Sequence, residues 1–235
     1  MQVFYAPDIS GSQYILDENE SKHIIRVLRM GRGTAVRLID GRGNLFEGVI
    51  EEPDHKHCKI SITGVLENFE KRSYRLHIAI SPIKNNDRFE WFIEKSVEIG
   101  VDEITPLICR NTEKTSIKTE RINNIIISAM KQSLKSTLTK LNEPESFEEF
   151  TSRKSDEVSM IAHCSNEYPR KKISDICKPH QDAIILIGPE GDFSNEEIAL
   201  AYNRGFTGIH LGASRLRTET AGVAACHSVY FINQE

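Results

Sequence analysis

Apolar and polar positions change rhythm once along this chain. Up to about residue 72, short runs such as VFYA (residues 3–6), QYIL (13–16), TAVRLID (34–40), NLFEGVIEE (44–52) and KHCKISITGVLE (56–67) read as strands. The glycines of GRGN (41–44) join two of them in a hairpin turn. One helix interrupts them, from Glu18 to Met30, with Ile24, Ile25, Val27 and Leu28 on one side and Gly31 as its stop. Short strands around a single helix predict a small β-barrel-like module.

The polar segment ENFEKRS (67–73) reads as a connection between domains 1–72 and 73–235. Beyond it, strands and helices alternate. RLHIAI (75–80), EITPLIC (103–109), VSMIAH (158–163), AIILIG (183–188) and GIHLG (208–212) are strands. Residues 87–99, 118–135, 170–177, 194–204 and 218–233 are helices. AIILIG is apolar throughout, as a strand buried on both faces must be. Ser194, followed three residues later by Glu197, forms a capping box. The alternation predicts an α/β domain with a parallel sheet covered by helices on both faces.

At 39% hydrophobic and 27% charged, the 235 residues suit a globular chain able to bury a core without staples. The net charge of -4 excludes a histone-like nucleic-acid binder but not a local basic face. No apolar run reaches the ~18–20 residues of a membrane-spanning helix, and the first residues lack a signal-peptide pattern. Five scattered cysteines without a CxxC fit a reducing cytoplasm better than a disulfide framework.

Two strand-to-helix junctions stand out, and ligands of such sheets bind beyond the carboxyl ends of the strands. In LIGPEGDFSNEE (186–197), Gly188 and Gly191 let backbone approach a ligand and Pro189 stiffens the loop. Turn geometry accounts for those three residues but not for Glu190 and Asp192. In LGASRLRTETAGVAA (211–225), Thr218 reads as the helix cap, Glu219 suits the helix's positive end, and the small residues allow close packing. Arginines at a helix N-terminus oppose the dipole, which points to function.

A basic stretch lies from Lys22 to Arg42, with six cations against Asp40. Lys22, Arg26 and Arg29 fall at i, i+4 and i+7, a spacing able to follow phosphates or simply to face solvent; Arg32 follows. Phosphate-binding loops, the usual dinucleotide fingerprint, a hydrolase nucleophile elbow and metal-ligand spacings are all missing.

Taken together, GPEGDFSNEE and LGASRLRTETA resemble the two signature segments of the SPOUT-class methyltransferases that make N3-methyluridine in 16S ribosomal RNA. The segment KNNDRFEWFIEKSVEIGVDEITPL, notably Lys84, Arg88, Lys95, Glu98 and Gly100, is similar to the same family, as is KQSLKSTL (131–138). The resemblance implies a C-terminal trefoil-knot methyltransferase domain, an N-terminal PUA-like β-barrel and a homodimer. It implies S-adenosyl-L-methionine (SAM) as methyl donor, held by Gly188, Pro189, Glu190, Gly191, Leu211, Gly212, Leu216, Arg217 and Thr218, with His163 on a third wall. Arg217 would stabilise charge developing on uracil. Glu219, another carboxylate or water would take the N3 proton. Lys22, Arg26, Arg29, Arg32 and Arg88 would contact RNA. The expected partner is 16S rRNA within the assembled small subunit, in the cytoplasm and away from membranes.

Three departures from the family pattern carry expectations of their own. Asp192 stands where many members have a second glycine, and a carboxylate there is tolerable if it points to solvent. Lys131 replaces a frequent glutamate, and Lys135 occupies the other end of KQSLK. Competing readings are a non-catalytic RNA-binding assembly factor, a ribose 2′-O-methyltransferase on the same fold, and a nucleotide-dependent α/β enzyme, the last disfavoured by the missing phosphate loops.

Overall fold

The structure is a computed structural model and describes residues 2–234. The chain divides into two compact units. One runs up to Lys71 and takes in Ile127–Leu138; the other comprises Arg72–Ile126 and the chain from Thr139 onward.

In the first unit, β1 (Val3–Tyr5), β2 (Gln13–Ile15), β3 (Ala35–Ile39), β4 (Leu45–Glu52) and β5 (Lys59–Leu66) form one sheet in the order β1-β3-β4-β5-β2. Only the β1–β3 pair is parallel. Asp40 shapes the turn between β3 and β4: its carboxylate accepts from the backbone N–H of Arg42 (2.7 Å) and Asn44 (3.1 Å). Phe4, Leu16, Ile24, Leu38, Ile50 and Ile60 fill the core.

The helix of this unit is shorter and less regular than its periodicity predicts. Asp17 caps α1 (Glu18–Lys22), accepting from the Glu20 N–H at 2.8 Å. A π-helical turn, His23–Val27, follows and closes with Leu28 N–H donating to the His23 carbonyl at 3.0 Å. Arg29 already lies in the left-handed region, at φ 55°. Ile24 is completely buried, so the wide turn leaves the apolar anchor in place while ending the helix early. Lys22, Arg26 and Arg29 therefore do not share one straight α-helical stripe.

A cut at 72/73 also leaves out a return of the chain. Ile127–Leu138 goes back to the first unit, where Gly43 N–H donates to the Ser136 carbonyl (3.0 Å) and Leu138 N–H to that of Gly41 (2.8 Å). Lys131 forms an ion pair there with Glu20.

The second unit opens with β6 (Leu76–Ile80), α2 (Asn86–Ile99), β7 (Glu103–Ile108) and α3 (Thr119–Gln132), whose last turns belong to the first unit. It continues through β8 (Lys140–Leu141), β9 (Glu145–Ser146), α4 (Phe147–Ser152) and β10 (Val158–Ala162). It ends with α5 (Ile173–Ile176), β11 (Ala183–Ile187), α6 (Asn195–Asn203), β12 (Thr207–Ile209) and α7 (Thr218–Ile232). The strand order is β12-β10-β11-β6-β7-β8, with β9 also on β7, and every pair is parallel. Ala79, Ile161, Ile184 and Leu186 face Phe147 and Phe150 of α4 and Ile198 and Ala201 of α6. The other face of the sheet carries α7, which packs along α2.

Gly222 makes the α2–α7 seam possible. A Cβ there would lie 2.5 Å from the Phe92 ring and 3.0 Å from Ile80 Cδ1. Ser194 caps α6 with both bonds of the capping box in place. The last helix differs from the sequence reading: Thr218 is its first helical residue and Arg217 occupies the cap without a side-chain cap bond. Likewise β12 ends at Ile209, so His210–Gly212 already belongs to the loop.

Candidate functional site

Since β10, β11 and β12 are neighbours, three loops leave the same end of the sheet side by side. They enclose a cavity of two adjoining lobes, of about 450 and 600 Å³, which share Ala162, Cys164, Asp192, Arg215, Leu216 and Ala221. Volumes of this size suit a cofactor-sized ligand. The smaller lobe is lined by Gly188, Pro189, Glu190, Arg217, Thr218, Glu219 and Arg88. The larger is lined by His163, Arg170, Phe193, Ile209, Leu211 and Gly212.

The cofactor and catalytic residues expected from the sequence reach this cavity with one exception. Gly191 does not line it; a Cβ there would meet Asn111 at 3.5 Å. Arg88, expected among the RNA contacts, lies on the wall of the smaller lobe. The first unit holds the other four cations. Lys22 pairs with Glu18 at 2.7 Å, whereas Arg26, Arg29 and Arg32 are exposed and make no ion pair among the described residues.

Asp192 is accommodated by hydrogen bonds rather than by facing solvent alone. Its backbone is left-handed, at φ 65°, a conformation glycine adopts without strain. Its carboxylate accepts from Cys164 N–H (2.7 Å) and Phe193 N–H (2.8 Å), and its carbonyl accepts from Asn111 Nδ2 (3.0 Å). The residue thus ties the loop after β11 to the loops after β10 and β7. Nothing in the local sequence pattern signals a bond across 28 positions.

His163 directly follows β10 and is only 4% exposed. Its Nε2 meets the Tyr202 hydroxyl at 3.3 Å, its carbonyl accepts from Arg170 at 3.0 Å, and its Nδ1 has no hydrogen-bond partner. Burial holds its pKa below the ordinary value, opposed by the nearby Asp192 charge. Gly208 makes room for this cluster: a Cβ would lie 1.9 Å from the Tyr202 hydroxyl and 2.8 Å from His163 Nε2.

Glu219 is 7% exposed and opens into the smaller lobe. Arg88 Nε, at 3.8 Å from Oε1, is its nearest cation, and no hydrogen bond reaches the carboxylate among the described residues. Arg217 and Arg215 are exposed on the cavity wall without an ion-pair partner among those residues. The lobe therefore combines a largely buried acid that takes no hydrogen bond among the described residues with exposed guanidinium groups, a set suited to moving a proton and stabilising an anion.

A parallel α/β sheet with its cavity beyond three adjacent strand ends, an acid and arginines on the cavity wall, and a separate β unit carrying exposed cations make up a ligand-binding α/β protein with a basic companion unit. A family described as "RNA methyltransferase domain" matches residues 70–230, and "RNA methyltransferase PUA domain" matches residues 16–63. The chain belongs to the family of ribosomal RNA small subunit methyltransferase E. It is 30% identical to the member from Buchnera aphidicola, over 95% of this chain and 90% of that one. It is 42% identical to a "probable rRNA-methyltransferase" of Porphyromonas gingivalis whose crystal structure superposes with a TM-score of 0.93, covering 99% and 98% of the two chains. A ribosomal RNA small subunit methyltransferase E from Neisseria gonorrhoeae, solved bound to S-adenosyl methionine, is 26% identical with a TM-score of 0.89, covering 99% and 98%.

Proposed function

We propose that this chain methylates N3 of one uridine in 16S rRNA, with SAM as methyl donor. The observation that carries the reading is the pairing of buried Glu219 with exposed Arg217 in one lobe of a cavity large enough for the donor. The donor fits the residues present. Ile209, Leu211, Leu216 and Phe193 offer an apolar bed, Glu190 and Asp192 supply negative charge for a sulfonium, and the unpartnered Nδ1 of His163 awaits a polar group. Gly188, Pro189, Glu190, Leu211, Gly212, Leu216, Arg217, Thr218 and His163 would hold it. When bound, SAM supplies an electrophilic methyl group on a cationic sulfur.

The chemical obstacle is the N3 proton. Uridine N3 is acidic about two units above neutral, so forming the anion costs about 3 kcal/mol. Arg217 remains protonated, so it cannot be the base; its guanidinium stabilises charge on N3 and the flanking carbonyls. Glu219 accepts the N3 proton. The N3 pair bonds the methyl carbon, the carbon–sulfur pair stays on sulfur, and the uridinate and sulfonium charges cancel. The uracil must leave its stack to enter the lobe, which is cheapest in irregular RNA.

Arg26, Arg29 and Arg32 of the first unit, with Lys22, would hold phosphates of the assembled small subunit. The reading includes a cytoplasmic homodimer, a PUA-like barrel over 1–72 and a trefoil knot in 73–235. Exposed Trp91 and Phe231 support a second copy as cover for those side chains. Light scattering would give twice the 26.7 kDa monomer mass if the dimer forms.

The test is transfer from labelled SAM to small subunits lacking the modification, followed by nucleoside analysis. N3-methyluridine at one site is the expected product. A ribose-methylated nucleoside would retain the cofactor site and discard the N3 assignment. SAM binding without transfer to any RNA would discard the catalytic reading.

A further inference from the structure

The α2–α7 seam sets two side chains opposite one another that lie far apart in sequence. The helices run side by side in the same direction, with three meetings in register. Arg88 faces Glu219, Phe92 faces Gly222, and Cys226 Sγ lies 3.7 Å from the Ser96 carbonyl. The middle meeting fixes the helix separation, because Gly222 has no room for a side chain beside Phe92. The first meeting falls at the cavity. There the Glu219 side chain is 9% exposed and that of Arg88 42%.

The Glu219 carboxylate takes no hydrogen bond among the described residues, and Arg88 is the cation that faces it. At 3.8 Å it is too far for a hydrogen bond, yet close enough to attract the carboxylate. The rest of Glu219's surroundings are mixed. Arg215 and Arg217 precede it, Glu190 and Asp192 face the lobe from the loop after β11, and Cys164 faces it from the loop after β10. Ile187 at the end of β11 adds only apolar surface, and α5, which also packs on α7, sends nothing into this lobe. The two acids repel the Glu219 carboxylate; Arg88 is the cation from the neighbouring helix that attracts it.

Resting on the proposed uridine-N3 reaction, we infer that Arg88 is a positioning residue for that reaction. It holds the Glu219 carboxylate aimed into the lobe, with the carboxylate's hydrogen-bonding capacity left for the N3–H of the target base. Arg88 therefore acts through Glu219 and not as a phosphate contact. The separation of its hydrogen-bonding reach from Glu219 is the useful part. A closer pair would occupy the carboxylate oxygens that must accept the proton.

The experiment compares full-length wild type, Arg88→Ala, Arg88→Gln and Arg88→Lys on unmodified small subunits, recording kcat at saturating SAM, KM for the subunits, and SAM affinity by titration. Arg88→Ala and Arg88→Gln are expected to lower kcat about tenfold with KM for the subunits unchanged. Arg88→Lys should restore much of kcat, and SAM affinity should stay as in wild type. An unchanged kcat, with a raised KM and a salt dependence shallower by about 0.7–0.9 in log–log slope, makes Arg88 a phosphate contact and overturns the inference. Loss of SAM affinity in step with kcat, unrescued by lysine, makes it merely structural and overturns it as well. If wild type itself yields no N3-methyluridine, the underlying reading fails first, and the inference falls with it, whatever Arg88 variants do.

Discussion

The exposed arginines of the first unit and the charges fixed at the cavity of the second are held in different ways. In the first, Arg26, Arg29 and Arg32 project into solvent without ion-pair partners among the described residues. In the second, the charged groups around the cavity are built into it: Asp192 bonds two backbone N–H groups, Arg170 holds the His163 carbonyl, and Glu219 is buried beside Arg88. The difference separates attraction from chemistry. Exposed cations act at a distance and are screened by salt, so they suit a long polyanion whose position need not be exact. Buried charges with fixed partners lose little to screening and can hold one atom of a substrate.

The largest expected effect comes from Arg217, the group proposed to meet the uracil anion. Arg217→Ala should lower kcat at saturating SAM by about 10²–10³, the typical cost of one transition-state donor. Full activity in this variant would remove the distinction between the units at its strongest point.

A second effect of similar size in free energy is acid sensitivity of the second unit. Burial holds His77, which meets Thr105 Oγ1 at 2.8 Å, down to about 4. The unfolded chain binds that proton near its ordinary 6.5. Stability from neutral His77 is therefore complete above about 6.5, erodes as pH falls, and is fully lost below about 4. The integrated loss is about 3 kcal/mol. Denaturant unfolding at pH 7 and pH 4.5 should show the fall, and His77→Gln should flatten it.

Asp192 separates two functions of one residue. Asp192→Ala loses both carboxylate bonds and places a Cβ-bearing residue without local side-chain support at φ 65°, costing about 1–3 kcal/mol in unfolding free energy. Asp192→Gly should recover part of that stability by relieving the backbone but remain weaker than wild type in SAM affinity, because the link to Cys164 is absent. Equal stability of the two variants would show that the backbone conformation carries no cost.

The smallest effect belongs to the first unit. Arg29→Ala should leave kcat at saturating subunits unchanged, weaken binding a few-fold, and reduce the log–log salt slope by about 0.7–0.9. A changed kcat would place Arg29 in the chemistry and collapse the contrast.

Local rules read much of this molecule. The Ser194–Glu197 capping box, the uninterrupted AIILI strand and the two unusual junctions all follow from patterns within a dozen residues. The failures have physical reasons. The π-turn at His23–Val27 keeps Ile24 buried while departing from a 3.6-residue period, so periodicity alone overruns its end. Two-residue strands such as β8 and β9 are too short to show alternation, and α4 is a single short helix whose Phe147 and Phe150 gain their meaning only against the sheet. Arg217 as cap defeats the cap rule, which favours Thr218, because the site keeps a cation where the helix alone would not. The Arg88–Glu219 and Asp192–Cys164 meetings depend on tertiary packing, which no spacing rule contains.

The strand order has a consequence for how the protein comes into being. β11 lies between β10 and β6, so a strand made late fills the gap between one made just before it and one made a hundred residues earlier. A growing chain leaves the ribosome from its N-terminus, and long-range parallel pairing is slow to form. Until β11, β12 and α7 have emerged, β10 has no neighbour to its β6 side and the cavity has neither its second loop nor its third. The capacity to bind the proposed cofactor is thus acquired only after β11, β12 and α7 are made, and chains released before α7 would carry the cationic unit without the means to act on what it attracts.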